Sequence, residues 1–171
     1  MKFILCFLGV ATCLLILSAN PVNAANESGL VGDWVLPDGS AIVRIEATGK
    51  DGGLTGRVIS LLRPEFSLVD GYGKPGSSRH DIKNANRSAR KRPVIGMEIA
   101  SKLQFDGEFW RGEIYDPGSG NSYRCYIRLV GDNFAKVRGY IGFSVIGRTM
   151  HWQRRDSYSA QVHNMLSASI N

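Results

Sequence analysis

Charged side chains stand in this chain where short alternating segments should be apolar. On Val145–Arg154, the series Ile146, Met150 and Trp152 also contains Arg148 and Arg154. On Phe109–Asp116, the series with Trp110 and Ile114 ends in Asp116. Alternate residues of a strand share a face, so these charges are expected to point toward an apolar interior. An arginine there needs an acidic partner, because a stranded buried charge costs several kcal/mol. Three readings stay open. Arg148 and Asp116 form a fold-locking pair at one barrel end, or they anchor a ligand inside it, or they serve catalysis. Arg138, Tyr140, Tyr115 and Trp110 lie on the same group of segments and complete the first set of candidate ligand contacts.

The elements that must position them read as strands cut by turn signals. Gly32–Val35 and Ala41–Ala47 flank Pro37-Asp38-Gly39, and Leu54–Leu62 follows Lys50-Asp51-Gly52-Gly53. From Met97 the rhythm is regular, with Asp106-Gly107, Pro117-Gly118-Ser119-Gly120 and Gly131-Asp132-Asn133 as breaks. This is the signature of an antiparallel meander. It predicts an all-β fold, an up-and-down β-barrel of about eight strands. A barrel of that size is filled by side chains or holds one small ligand. Residues 64–96 interrupt the pattern with a long basic Gly/Pro-rich loop, expected to contain a short helix near Asp81–Ala89 with Asp81 as N-cap. Its Arg87, Arg90, Lys91 and Arg92 are read as a solvated cluster or as a basic rim at a site mouth. The polar stretch 156–171 is expected to be a disordered tail outside the core.

The N-terminus bounds the compartment. Met1-Lys2, the apolar run Phe3–Leu17 and Val22-Asn23-Ala24 have the form of a cleaved signal peptide. Residues 1–24 are therefore expected to be removed, leaving a barrel domain over 25–155 and a periplasmic location. No later apolar run is long enough for a membrane-spanning helix. Of three cysteines, Cys6 and Cys13 fall in the leader and Cys125 remains, read as a small core residue rather than a reactive thiol. The full chain carries 21 Lys and Arg against 15 Asp and Glu, a net +6. This favours acidic partners such as anionic headgroups. It lacks the dense stripe of a nucleic-acid module, and no nucleic-acid partner is expected.

Several motifs are excluded. Gly71-Tyr72-Gly73-Lys74-Pro75-Gly76 matches G-x-G-x-x-G by letter, but its Lys-Pro step prevents the helix that a dinucleotide site requires. His80, His151 and His163 show no metal spacing, so neither a metal nor a cofactor is expected.

Gly32-Asp33-Trp34 near the start and Trp152-Gln153-Arg154 near the end resemble the calycin, or lipocalin-like, arrangement. The resemblance implies that Trp34, Trp152 and Arg154 close one barrel end, with Arg154 stacked on Trp34. More specific motifs run through the chain: Asp81-x-x-Asn84, Arg92-Pro93, Gly112-Glu113-Ile114-Tyr115-Asp116-Pro117 through Tyr123, Arg138-Gly139-Tyr140-x-Gly142 and Gly147-Arg148-Thr149-x-x-Trp152-x-Arg154. Together they resemble an uncharacterised family of small exported bacterial proteins, a domain of unknown function. That resemblance adds Asp81 and Asn84 to the candidate site and implies a periplasmic calycin-like barrel without an established activity. The leading expectation is a binder of a small apolar or amphipathic, lipid-like ligand. The alternative is an envelope interaction protein with a packed barrel and a basic loop for an acidic partner. A third reading is an enzyme on lipid-like substrates, for which no nucleophile–base set is evident.

Overall fold

The computed structural model describes residues 29–49 and 52–170, with side-chain surroundings through Met165. The proposed leader at 1–24 lies outside the described residues. Eight strands follow in order: β1 (Gly32–Val35), β2 (Ala41–Ala47), β3 (Leu54–Leu61), β4 (Glu98–Phe105), β5 (Trp110–Asp116), β6 (Asn121–Val130), β7 (Phe134–Tyr140) and β8 (Gly147–Arg154). Each pairs with the next in antiparallel sense. β8 returns to β1 through Trp34↔Arg154 and Val35↔Gln153, which closes the barrel.

Alternation selects the wall faces. On β2, Ala41, Val43 and Ile45 are buried while Arg44 and Glu46 are exposed. On β6, Cys125 and Ile127 are buried between exposed Arg124 and Arg128. The inward residues form a single cluster that includes Trp34, Leu103, Trp110, Val137 and Trp152. Small residues let the walls approach. A Cβ on Gly56 would lie 3.0 Å from the Ala100 Cβ, and one on Gly112 would lie 2.5 Å from the Ser101 carbonyl oxygen. A Cβ on Gly139 would meet Ile114 and Tyr123 only at ordinary contact distance. The interior is therefore too tight for a methyl group at Gly56 and Gly112 and just accommodates one at Gly139.

Antiparallel order sends alternate connections to opposite ends. The β1–β2, β3–β4, β5–β6 and β7–β8 connections leave from one end, here termed the mouth. The β3–β4 connection is the long basic segment. It is structured rather than irregular, with 3-10 turns at Leu68–Asp70 and Arg87–Lys91 and bridges Glu65↔Ser78 and His80↔Pro93. Phe66, Asp81 and Val94 anchor it by burial. The helix expected near 81–89 is instead the five-residue turn Arg87–Lys91, capped by Asn86, whose side chain accepts from the Ser88 N–H. Asp81 cannot serve as the cap because its carboxylate is committed elsewhere, as described below.

The expected disordered tail is also corrected. Arg155–Ile170 forms a helix, α1, continuous with β8. The Gln153 amide donates to Ser157 Oγ and Gln161 Oε1, and Arg155 pairs with Asp33 at 3.2 Å. These contacts tie a polar helix to the barrel wall without drawing it into the core.

Candidate functional site

The end opposite the mouth is closed by side chains. Trp34 is fully buried and its indole N–H donates to the Leu30 carbonyl at 2.9 Å. The Arg154 guanidinium lies 4.4 Å from the Trp34 ring centroid. It also donates to the carbonyls of Asp132 at 2.9 Å and Gly29 at 2.6 Å. Gly32 sits at φ +133, and a Cβ there would come within 2.9 Å of an Arg154 nitrogen. Glycine is thus required both for the backbone conformation and for the arginine to cross the tryptophan.

Trp152 sits beside this plug and is 1% exposed. Its Nε1 is the buried side-chain polar atom without a hydrogen-bond partner among the described residues. Buried donors are nearly always paired, so this one is a group that a bound water or a ligand acceptor would satisfy.

A second constellation lies at the base of the long connection. Asp81 is fully buried. Tyr115 Oη donates to Asp81 Oδ1 at 2.5 Å, while Asn84 Nδ2 and Arg92 Nη2 donate to Oδ2 at 2.7 and 2.8 Å. Asn84 Nδ2 also reaches Tyr115 Oη at 3.0 Å. Burial raises the Asp81 carboxyl pKa, but the three donors outweigh it, and the net shift is downward. Burial, reinforced by the Asp81 carboxylate, pushes Tyr115 up to about 12. Tyr115 alternates with inward Ile114, so this cluster pins the connection against the outer wall. Gly120 tightens the junction, because a Cβ there would collide with the Lys83 carbonyl. From the sequence, Asp81, Asn84 and Tyr115 are candidate ligand contacts, and Arg92 belongs to a solvated cluster or a basic rim at a site mouth. The structure brings all four together as a closed hydrogen-bonded latch.

Asp116 and Arg148 are expected to point inward or to sit at one barrel end, as a fold-locking pair or as ligand anchors; the structure places both at the mouth end. Both are exposed, and no ion pair joins them. Alternation gives the right face, but each residue stands at the mouth end of its strand, where that face opens to solvent. Asp116 organises the β5–β6 turn instead, accepting from the Gly118 N–H at 2.8 Å through Oδ1 and from the Gly120 N–H through its carbonyl. Arg148 pairs in register with Gly139 at the lip. Its charge helps lower the nearby Asp38 carboxyl, whose main stabilisers are the Ser40 side chain and backbone.

The remaining candidates separate further. Arg138 lies on the outer face and braces the β7–β8 connection, donating to the carbonyls of Ser144 at 2.8 Å and Val145 at 3.0 Å and to Thr149 Oγ1 at 2.8 Å. Tyr140 belongs to an outer stripe, its ring 6.4 Å from that of Tyr126. Trp110 is a core residue packed on Phe105 at 5.4 Å. Cys125 is fully buried, and burial pushes its thiol up to about 12. Among the described residues, no group of three or more His, Cys, Asp and Glu side chains could hold a metal ion.

A closed eight-stranded antiparallel barrel, plugged by a tryptophan under an arginine at one end and looped at the other, defines a lipocalin-like architecture. The chain belongs to the family described as uncharacterized protein conserved in bacteria (DUF2147), which matches residues 32–154. Among solved structures it is similar to protein HP1028 of Helicobacter pylori, a protein described as belonging to the lipocalin family. The TM-score is 0.59 with 19% identity, over 73% of this chain and 82% of that one. That likeness speaks for the fold alone. No curated protein matches the sequence.

Proposed function

We propose that this protein binds a small amphipathic molecule along the interior of its barrel, outside the cytoplasm. The observation that carries the reading is Trp152 Nε1, a buried donor in the barrel without an acceptor. Leaving such a group unpaired costs about 1–3 kcal/mol, which a ligand acceptor would offset. Support comes from the lip, where Arg148 is exposed on the strand face that also carries half-buried Met150, in register with Gly139. Arg148 and Trp152 are four residues apart on β8, about 13 Å along a strand. An apolar body of that length would carry a polar end to Trp152 and an anionic end to Arg148. The lipocalin-like fold accords with a ligand of this size. The leader pattern at 1–24 supports export, and intact mass of the protein recovered from its host should begin at Ala25.

Displacement of dansyl-undecanoic acid tests the reading. Wild type should bind it with enhanced emission. Gly139→Leu should block the interior, while Arg148→Met and Trp152→Phe should each weaken binding roughly tenfold, the worth of one charge-assisted or buried hydrogen bond. Equal binding by wild type and Gly139→Leu would remove the interior site.

A further inference from the structure

We infer that the mouth end docks on an anionic bilayer surface through two apolar loop tips set among cationic side chains. The most exposed apolar residues belong to the connections at that end. Val145 is 85% exposed, Phe143 82%, and Ile141 and Ile146 flank them on the β7–β8 connection. Leu68 and Val69, each 85% exposed, and Leu62 project from the β3–β4 connection. In a ring of eight strands these two connections emerge four strands apart, on opposite sides of the mouth. The β7–β8 tip is held in shape by Arg138, which grips the Ser144 and Val145 carbonyls from below. The apolar side chains therefore project from a fixed turn.

Charge follows the same end. Residues 62–96 hold eight Lys and Arg against three Asp and Glu, a net +5 within a chain of net +6. Arg63, Lys74, Lys83, Arg87 and Lys91 are exposed there, and Arg148 is exposed at the opposite lip. Two separated apolar tips with cationic surroundings do not form one continuous patch for a folded protein partner. A bilayer needs no such continuity. Each tip can enter the headgroup boundary on its own while lysine and arginine meet lipid phosphates. This inference does not depend on the barrel holding a ligand. A mouth seated on a membrane would nonetheless place the interior where amphipathic molecules are stored.

The experiment uses the full chain with vesicles of phosphatidylcholine, with and without phosphatidylglycerol. Wild type should co-sediment with the anionic vesicles and be released by high salt. Phe143→Ser combined with Val145→Ser should weaken this partitioning roughly tenfold or more, because two apolar side chains no longer enter the interface. Both positions are exposed, so the variant should keep the wild-type melting temperature. An indole introduced by Phe143→Trp reports the tip directly, independently of the N-terminal apolar run. Brominated phosphatidylglycerol should quench it. Absence of that quenching, or undiminished partitioning of the double serine variant, overturns the inference. A concentration-dependent dimer that the double variant abolishes, without vesicle binding, would assign the tips to a second copy and overturn it as well.

Discussion

Replacing Asp81 by Asn should release the latch that holds the long β3–β4 connection. Three donors converge on this fully buried carboxylate, from Tyr115, Asn84 and Arg92. A hydrogen bond to a charged group is worth about 1.5–3 kcal/mol. Asparagine keeps one acceptor oxygen. The Arg92 side chain is 54% exposed and can turn to water, so its share is small. The remaining loss is about 3 kcal/mol, mostly at Tyr115 and Asn84. For a domain of this size that lowers the melting temperature by about 10 °C. Tyr115→Phe removes one donor and should cost about 1–2 kcal/mol. Because both substitutions break the same bond, the double variant should lose less than the sum of the singles. Urea unfolding of the four proteins gives the cycle, and limited proteolysis within 62–96 shows whether the connection is released first. The pH dependence follows from the sign of the shift. The Asp81 pKa is lowered on folding, so its stabilisation is present above the ordinary value of about 3.9 and is lost as pH falls through the lower folded value. Asp81→Asn should flatten that part of the acid transition. Strict additivity in the cycle, or an unchanged melting temperature for Asp81→Asn, would refute the latch.

Arg154→Ala should destabilise by about 2–4 kcal/mol, since it removes the stack on Trp34 and two short hydrogen bonds to carbonyls; a red shift in Trp emission and a lower urea midpoint check this. Gly112→Ala should cost about 1–3 kcal/mol by overpacking against the Ser101 carbonyl and Leu103, whereas Gly139→Ala should be close to neutral, a contrast that thermal melting resolves. Cys125 should resist alkylation in the native state at pH 8, because burial holds its thiol near 12, and peptide mapping should show modification only after unfolding. Asp70 and Asp106 are both lowered to about 2, chiefly by backbone N–H groups of Ser67 and Phe109 and then by arginines, so acid unfolding should proceed between about pH 4 and 2, read by circular dichroism.

Much of the barrel was legible because alternation and turn residues act locally. Val43 and Ile45 against Arg44 and Glu46 fix a face within a few residues, and the same rule holds on β6. Closure was legible through Gly32-x-Trp34 and Arg154, residues whose pairing needs only the first and last strands to meet. The 3-10 turn at Arg87–Lys91 was not, since the competitor for the Asp81 side chain was Tyr115, remote in sequence. Nor was α1 at Arg155–Ile170, whose polar sequence shows no apolar face and whose ordering depends on Gln153 and Asp33 of the barrel.

The exposure of Asp116 and Arg148, and the absence of an ion pair between them, has a different physical origin, and it bears on where function resides. Period-two alternation reports which way a side chain points but not its depth along the strand. The inward direction means a packed core at Trp152 and open solvent at Arg148, four residues earlier on the same face. Depth is set by the neighbouring connections, and here they differ between the two ends. At the closed end Trp34 donates to Leu30, and Arg154 stacks on Trp34 and donates to Asp132 and Gly29, so the fold consumes these polar groups. At the outer wall Asp81 likewise consumes the polar groups of Tyr115 and Asn84. Among the described residues, Trp152 Nε1 is unpartnered inside, the most exposed apolar side chains stand at the mouth, and Arg148 stands at the lip. Groups that fold stability does not use are the ones through which binding energy can act. Arg148, exposed at the lip on the strand face that leads to Trp152, is the residue that the binding and docking readings share.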